Sequence, residues 1–137
     1  MKRLFANLSA ALALALLLGL PTFASAQVPT VNVTAPDPVA VEATKDPGAF
    51  AVSRTGGMDA ALTVTYSVEG SATPAKDYAA LPGSVTIPAG ESTVLIKVIP
   101  IQDNTAEKAE SVVLTLTESP LYVVGAPVSA VVTIKDK

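Results

Sequence analysis

The chain has 137 residues, 50% of them hydrophobic, with nine basic and twelve acidic residues and a formal charge of −3. It contains no Cys, no His and no Trp, which removes disulfides, the usual zinc and copper ligands, cysteine nucleophiles and every mechanism built on a histidine base. The modest acidic excess also argues against nucleic acid or an anionic membrane as partner, since both are bound through basic faces.

Lys2 and Arg3 begin the chain with positive charge, Leu8–Leu20 is an apolar run of 13 residues, and Pro21–Ala26 ends in the small-x-small pattern of a signal-peptidase site. The run is shorter than the ~20 residues that cross a bilayer as a helix. A signal peptide over 1–26 is therefore expected, with no transmembrane helix in the mature chain. No Cys follows the run to accept a lipid. Cleavage near Ala26 leaves Gln27–Lys137, 111 residues of formal charge −5, one domain large enough to bury its own core. The expected location is the periplasm, the extracellular surface or the medium, with peripheral association to membrane or envelope still open.

Residues 27–29 form a short tether. Val31, Val33 and Ala35 alternate with Asn32 and Thr34 as a first strand, which Pro36 and Pro38 interrupt and Val39 and Val41 resume up to Glu42. Prolines of this kind suit an edge strand. Asp46-Pro47-Gly48 signals a turn, and Phe50, Val52 and Arg54 alternate with small residues in a second strand that stops at Gly56-Gly57. Leu62, Val64, Tyr66 and Val68 alternate with Thr63, Thr65 and Ser67 as a half-buried strand. Residues 69–82 have little periodicity. Val85 and Ile87 mark a short strand, and Pro88-Ala89-Gly90-Glu91 a turn.

The next strand, about 92–101, is apolar on both faces, so Leu95 and Ile99 are either covered or form a surface patch for a partner. Val112, Leu114 and Leu116 lie on one face of the following strand, and Ala130, Val132 and Ile134 on one face of the last. Between them, 119–127 reads as a long turn containing Tyr122 and Gly125. Phe50, Tyr66 and Tyr78 are expected in the core. Arg54 is expected to pack its stem while its head meets a carboxylate or the surface. Seven strands without a helical period predict an all-β fold, an antiparallel two-sheet sandwich.

The connector Ile101–Glu110 carries more charge than a turn needs, with carboxylates at Asp103, Glu107 and Glu110. It is either a solvated loop or part of an oxygen-ligand site for a hard cation such as Ca2+. Up-and-down order puts Glu42, Asp46, Glu69, Asp77, Asp103, Glu107, Glu110 and Asp136 at one pole of the sandwich. Lys45, Lys76, Lys108, Lys135 and Lys137 fall at the same pole, leaving it a net charge of about −3. Glu107 and Glu110 also fit the description of a hydrolase acid pair, but no aromatic sugar platform accompanies them and a sandwich pole offers no evident cleft. A non-enzymatic protein is expected.

Several segments in order resemble the Calx-beta domain, a family named from sodium–calcium exchangers and also seen in integrin β4 and bacterial surface proteins. They are Gly48–Gly57, with an apolar-x-apolar-x-Arg-x-Gly pattern; Gly70-Ser71-Ala72-Thr73-Pro74-Ala75-Lys76-Asp77-Tyr78; the hairpin Gly83–Glu91; Ile101–Leu116, with Ile-x-Asp-x-x-x-Glu-x-x-Glu; and the closing Val131-Val132-Thr133-Ile134-Lys135-Asp136. The match spans about Val31–Asp136. It implies an immunoglobulin-like β-sandwich and, in an exported chain, a single-domain member of bacterial type. In calcium-binding members, acids from several connectors chelate Ca2+ at one pole. The matching positions are Glu42, Asp77, Asp103, Glu107, Glu110 and Asp136. Strong binders carry a run of Asp where this chain has Gln102-Asp103-Asn104, and its closing acidic run is cut to Asp136-Lys137. Fewer charged ligands imply weak binding. The expected role is a calcium-binding module in adhesion, cell communication or assembly with a protein or cell-surface partner. The alternative is a metal-independent interaction module, and a carboxylate hydrolase is a remote third.

Overall fold

The structure, a computed structural model, describes residues 27–137. The leader expected over 1–26 lies outside the described residues. Nine strands make up the regular structure there: β1 (Thr30–Asp37), β2 (Val39–Val41), β3 (Gly48–Thr55), β4 (Leu62–Glu69), β5 (Ser84–Ile87), β6 (Thr93–Val98), β7 (Glu110–Leu116), β8 (Val123–Val124) and β9 (Ser129–Lys135). They form two sheets, in the orders β6-β3-β1-β8 and β2-β9-β7-β4-β5. Neighbours are antiparallel except β1 with β8 and β2 with β9. This is the expected sandwich.

The nine strands differ from the seven expected in two places. The first strand divides at Pro38, which has no N–H for a ladder. Before it, β1 pairs with β3 in one sheet; after it, β2 pairs with β9 in the other. The prolines therefore mark a crossing between sheets, and only β2 lies at an edge. The second difference is β8, two residues inside the long turn that pair with Thr30 and Val31. In addition, β6 ends at Val98, earlier than Ile101, because Pro100 bridges to Tyr78 instead of extending the strand.

Alternation along the strands builds one core, with Val31, Val33, Phe50, Val52, Val64, Tyr66, Val112, Leu114, Val132 and Ile134 interleaved between the sheets. Tyr78 joins them from a connector and is buried, as are Phe50 and Tyr66. Leu95 and Ile99 are about half exposed, at 55% and 51%, so they form the surface patch and not a second buried face.

Two polar side chains brace the frame in ways that strand periodicity does not anticipate. The Tyr122 hydroxyl donates to Thr117 O at 2.7 Å and accepts from Thr65 N–H at 3.1 Å, tying the turn before β8 to β4. Arg54 is buried, and its head meets neither a carboxylate nor the surface. It donates instead to the backbone carbonyls of Glu91 (2.8 Å), Ala60 (2.7 Å), Pro88 (2.8 Å) and Met58 (3.4 Å). A rigid fork of donors matches such a ring of carbonyls, so one side chain closes two loops at the pole away from the acids.

At the acidic pole, Gly70 lets the chain turn against β7. Its φ is +115°, and a Cβ there would strike the backbone oxygen of Ser111. The close approach lets Ala72 N–H donate to Ser111 O at 2.9 Å and Ser111 N–H donate to Ser71 Oγ at 2.9 Å. Gly70→Ala combines left-handed strain with a backbone clash, and should cost at least ~2 kcal/mol. The expected readout is a melting temperature lowered by several degrees, and an unchanged one would contradict this role for Gly70.

Candidate metal centre

Main-chain bonds bring four separated segments to one end. Beyond β2 and β9 the ladder continues, with Glu42 N–H donating to Lys135 O at 2.8 Å and Ala43 N–H to Asp136 O at 3.1 Å. That pairing sets Glu42 beside the end of β9. Asp77 sits in a turn in which Asp77 N–H donates to Thr73 O at 2.9 Å and Thr73 N–H returns a bond to Asp77 Oδ2 at 2.6 Å. Ile101 N–H donates to Asp77 O at 2.9 Å and Ala79 N–H to Ile99 O at 2.9 Å, joining this turn to the start of the acidic connector. Glu110 is the first residue of β7 and pairs with Ile134 of β9.

Asp77, Glu107 and Glu110 form the inner part of the cluster, each offering a carboxylate oxygen within 4.8 Å of the other two. Oxygens that share one Ca2+ at ~2.3–2.6 Å lie no more than ~5 Å apart, so this spacing fits a single ion. Asp77 and Glu42 are buried, at 3% and 4% exposure, and Glu107 and Glu110 are half-buried. Among the described residues no cation lies within ion-pair distance of Glu42. Asp103 and Asp136 line a shallow hollow beside Gln102, Asn104, Ala43 and Lys137. The Asp103 Oδ1 accepts Thr105 N–H at 2.7 Å, a local turn bond that fixes the start of the connector.

Electrostatics links the two parts. Burial, followed by the charges of Asp103, Glu107, Asp136 and Asp77, pushes Glu42 above its ordinary value of 4.5. Glu110 is also held above 4.5, first by a proton-sharing bond with Asp77, then by burial and by the charges of Asp77 and Glu107, with Lys76 opposing. Glu110 Oε2 is a buried oxygen with no hydrogen-bond partner. Buried carboxylate oxygens normally find donors or a cation. This donor set, all oxygen and mostly anionic, suits a hard divalent ion.

All six candidate ligands thus meet at the pole derived from strand order. Asp46 and Glu69 belong to the same end, but both are exposed and neither is among the charges that raise Glu42 or Glu110. Strand order put Lys76 at this pole but did not show which acid it meets. Lys76 Nζ lies 3.9 Å from Glu107 Oε1, and its place next to Asp77 was the available signal.

The Calx-beta domain family model matches residues 25–137. The chain belongs to the Calx-beta family. Solved Calx domains share the fold of this Calx-beta chain. The apo form of the Calx CBD1 domain aligns with a TM-score of 0.66 at 20% identity, over 80% of this chain and 98% of that one. The calcium binding domain CBD12 of CALX1.1 aligns at 0.64 and 22% identity, over 77% of this chain and 44% of that one. The Calx CBD2 domain aligns at 0.59 and 19% identity, over 77% and 86% of the two chains. No curated protein matches the sequence. No catalytic family is indicated by these matches. The cavity of about 380 Å3 beside Arg54, Leu62 and Leu121 lies at the other pole of this Calx-beta domain, lined by Asp59 but by none of the six candidate ligands.

Glu42 and Glu110 bind their protons more tightly in the folded chain than in the unfolded one. The fold is therefore most favoured by them below the ordinary value of 4.5, and loses that contribution as pH rises through their raised folded values. In chelator, the melting temperature should fall as pH rises across that window, and Glu42→Gln should flatten the fall. A melting temperature that climbs across the same window in chelator would contradict this electrostatic account.

Proposed function

We propose that this chain is an exported, non-catalytic Calx-beta module of bacterial type that binds Ca2+ at its acidic pole. Asp77, Glu107 and Glu110 hold the ion, Glu42 adds charge from behind them, and Asp103 and Asp136 extend the site outward. The observation that carries this reading is the convergence of these carboxylates around a buried Glu110 oxygen that has no donor. Two supports come from outside the site geometry: membership of the family, and the similarity in fold to CBD12 of CALX1.1, a calcium binding domain.

Binding is expected to be weak. Gln102 and Asn104 flank Asp103 with neutral amides, Lys137 follows Asp136, and Lys76 pairs with Glu107. Calcium affinity follows ligand charge and site rigidity, and extracellular modules work at dissociation constants of ~10⁻⁴–10⁻³ M. An exported protein surrounded by millimolar Ca2+ would be occupied at that affinity. Occupancy would join the 73–78 turn, the 101–110 connector and the end of β9 into one stiff end, the property that adhesion, cell communication or envelope assembly would use. A second reading, a metal-independent interaction module, is favoured by the exposed apolar stripe Leu95, Ile99 and Ile101 along and beyond β6.

Thermal unfolding separates the two. At ~1 mM Ca2+ a site with a dissociation constant of ~10⁻⁴–10⁻³ M adds ~0.4–1.4 kcal/mol, a rise of a few degrees in a domain of this size. Millimolar Ca2+ should therefore raise the melting temperature above that in chelator, and Mg2+ should raise it less. Asp103→Asn combined with Glu107→Gln should abolish the rise and leave the fold intact. The absence of a shift favours the metal-independent module, and an equal shift with Mg2+ contradicts selective calcium binding.

A further inference from the structure

Lys76 is placed by a turn that leaves its backbone little freedom. Lys76 N–H donates to Thr73 O at 3.2 Å, Ala75 N–H to Tyr78 O at 2.8 Å, and the adjoining Asp77 closes the turn through Thr73. Ala75 takes a φ of 65°, a left-handed conformation that alanine holds only where surrounding contacts impose it. The fold thus fixes a cationic residue immediately beside a buried ligand candidate. The two side chains behave in opposite ways: Asp77 is buried, whereas the Lys76 side chain is 66% exposed and reaches Glu107 from the solvent side. This contact, 3.9 Å from Nζ to Oε1, is the one ion pair among the described residues. The same charge opposes the acids that act on Glu110.

We propose that Lys76 is a resident competitor for the metal, an internal counter-ion that neutralises Glu107 in the absence of Ca2+ and sets the affinity low when Ca2+ arrives. This rests on the reading of the pole as a calcium site. An exposed ion pair is weak, at ~0–1 kcal/mol, and the ammonium stands on a flexible four-carbon stem, so the ion can displace it. Displacement does not remove it, because the fixed turn keeps the charge close to the divalent cation. The lysine therefore lowers metal affinity by repulsion while relieving like-charge repulsion in the metal-free state. Glu107 is the switch point, being held by Lys76 in one state and by the ion in the other. Lys108 serves as a comparison, since it neighbours Glu107 in sequence and is exposed but pairs with no acid.

Titration calorimetry with Ca2+ at low ionic strength tests the proposal on the wild-type protein, Lys76→Gln and Lys108→Gln. The expected result is binding about threefold to tenfold tighter in Lys76→Gln than in wild type, a change below about twofold in Lys108→Gln, and a gap that shrinks toward zero near 0.5 M salt. In chelator, Lys76→Gln should also melt at a slightly lower temperature than wild type, showing loss of the internal counter-ion in a folded protein. If wild type binds and Lys76→Gln binds no tighter, the competitor role is wrong and the calcium site stands. Equal tightening in both variants would reduce the effect to net charge and likewise overturn it. If wild type binds no Ca2+ at all, the calcium reading fails, and the competitor role fails with it.

Discussion

The acidic pole depends on backbone hydrogen bonds holding carboxylates closer together than their charges favour. Two full charges separated by ~5 Å in a part-buried setting repel by on the order of 3 kcal/mol, and this end gathers the six candidate ligands. What opposes that repulsion is neutral and lies mostly in the main chain: the extension of the β2–β9 ladder to Glu42 and Ala43, the Ile101–Asp77 bond, and, beside Glu110, the Ala72–Ser111 bond with the Ser71 hydroxyl accepting from Ser111 N–H. None of these involves a carboxylate oxygen. The frame therefore survives changes in the charge it carries, which is what an end that can take up or release a cation needs.

The opposite pole shows the contrast. There a single buried cation, Arg54, satisfies backbone carbonyls from two loops and closes them. The two ends of one sandwich thus use charge differently. At the Arg54 end, charge and backbone dipoles are matched within the fold. At the acidic end, Glu42 and Glu110 keep raised proton affinity and Glu110 keeps an oxygen with no donor. The acidic end carries an unmet electrostatic demand, and Lys76 meets part of it.

Most of the architecture was legible in the sequence because period-2 alternation reports which face of a strand is buried. Val31 and Val33, Val64 and Tyr66, and Val112 and Leu114 all went where alternation put them. Strand order then predicted the acidic pole without any knowledge of contacts. The misses share a physical cause: they concern partners that alternation does not encode. Pro38 carries the chain between sheets, and sequence shows a break without showing where the chain goes next. Tyr122 reads as a turn residue until its hydroxyl is seen bonding to β4. Arg54 has no acid partner because backbone carbonyls, invisible in a sequence, satisfy it. The inner trio could not be separated from Asp46 and Glu69 by position alone, since burial and the 73–78 turn decide which acids face one another.

Every element of the functional account converges on one location for the ion. Diffraction from crystals grown in millimolar Ca2+, with Tb3+ replacing Ca2+ for its anomalous signal, tests that location directly. The account predicts a metal peak ~2.3–2.6 Å from oxygens of Asp77, Glu107 and Glu110, with Lys76 Nζ withdrawn from Glu107. A pole without a peak at those concentrations, or an ion held elsewhere on the sandwich, would contradict it.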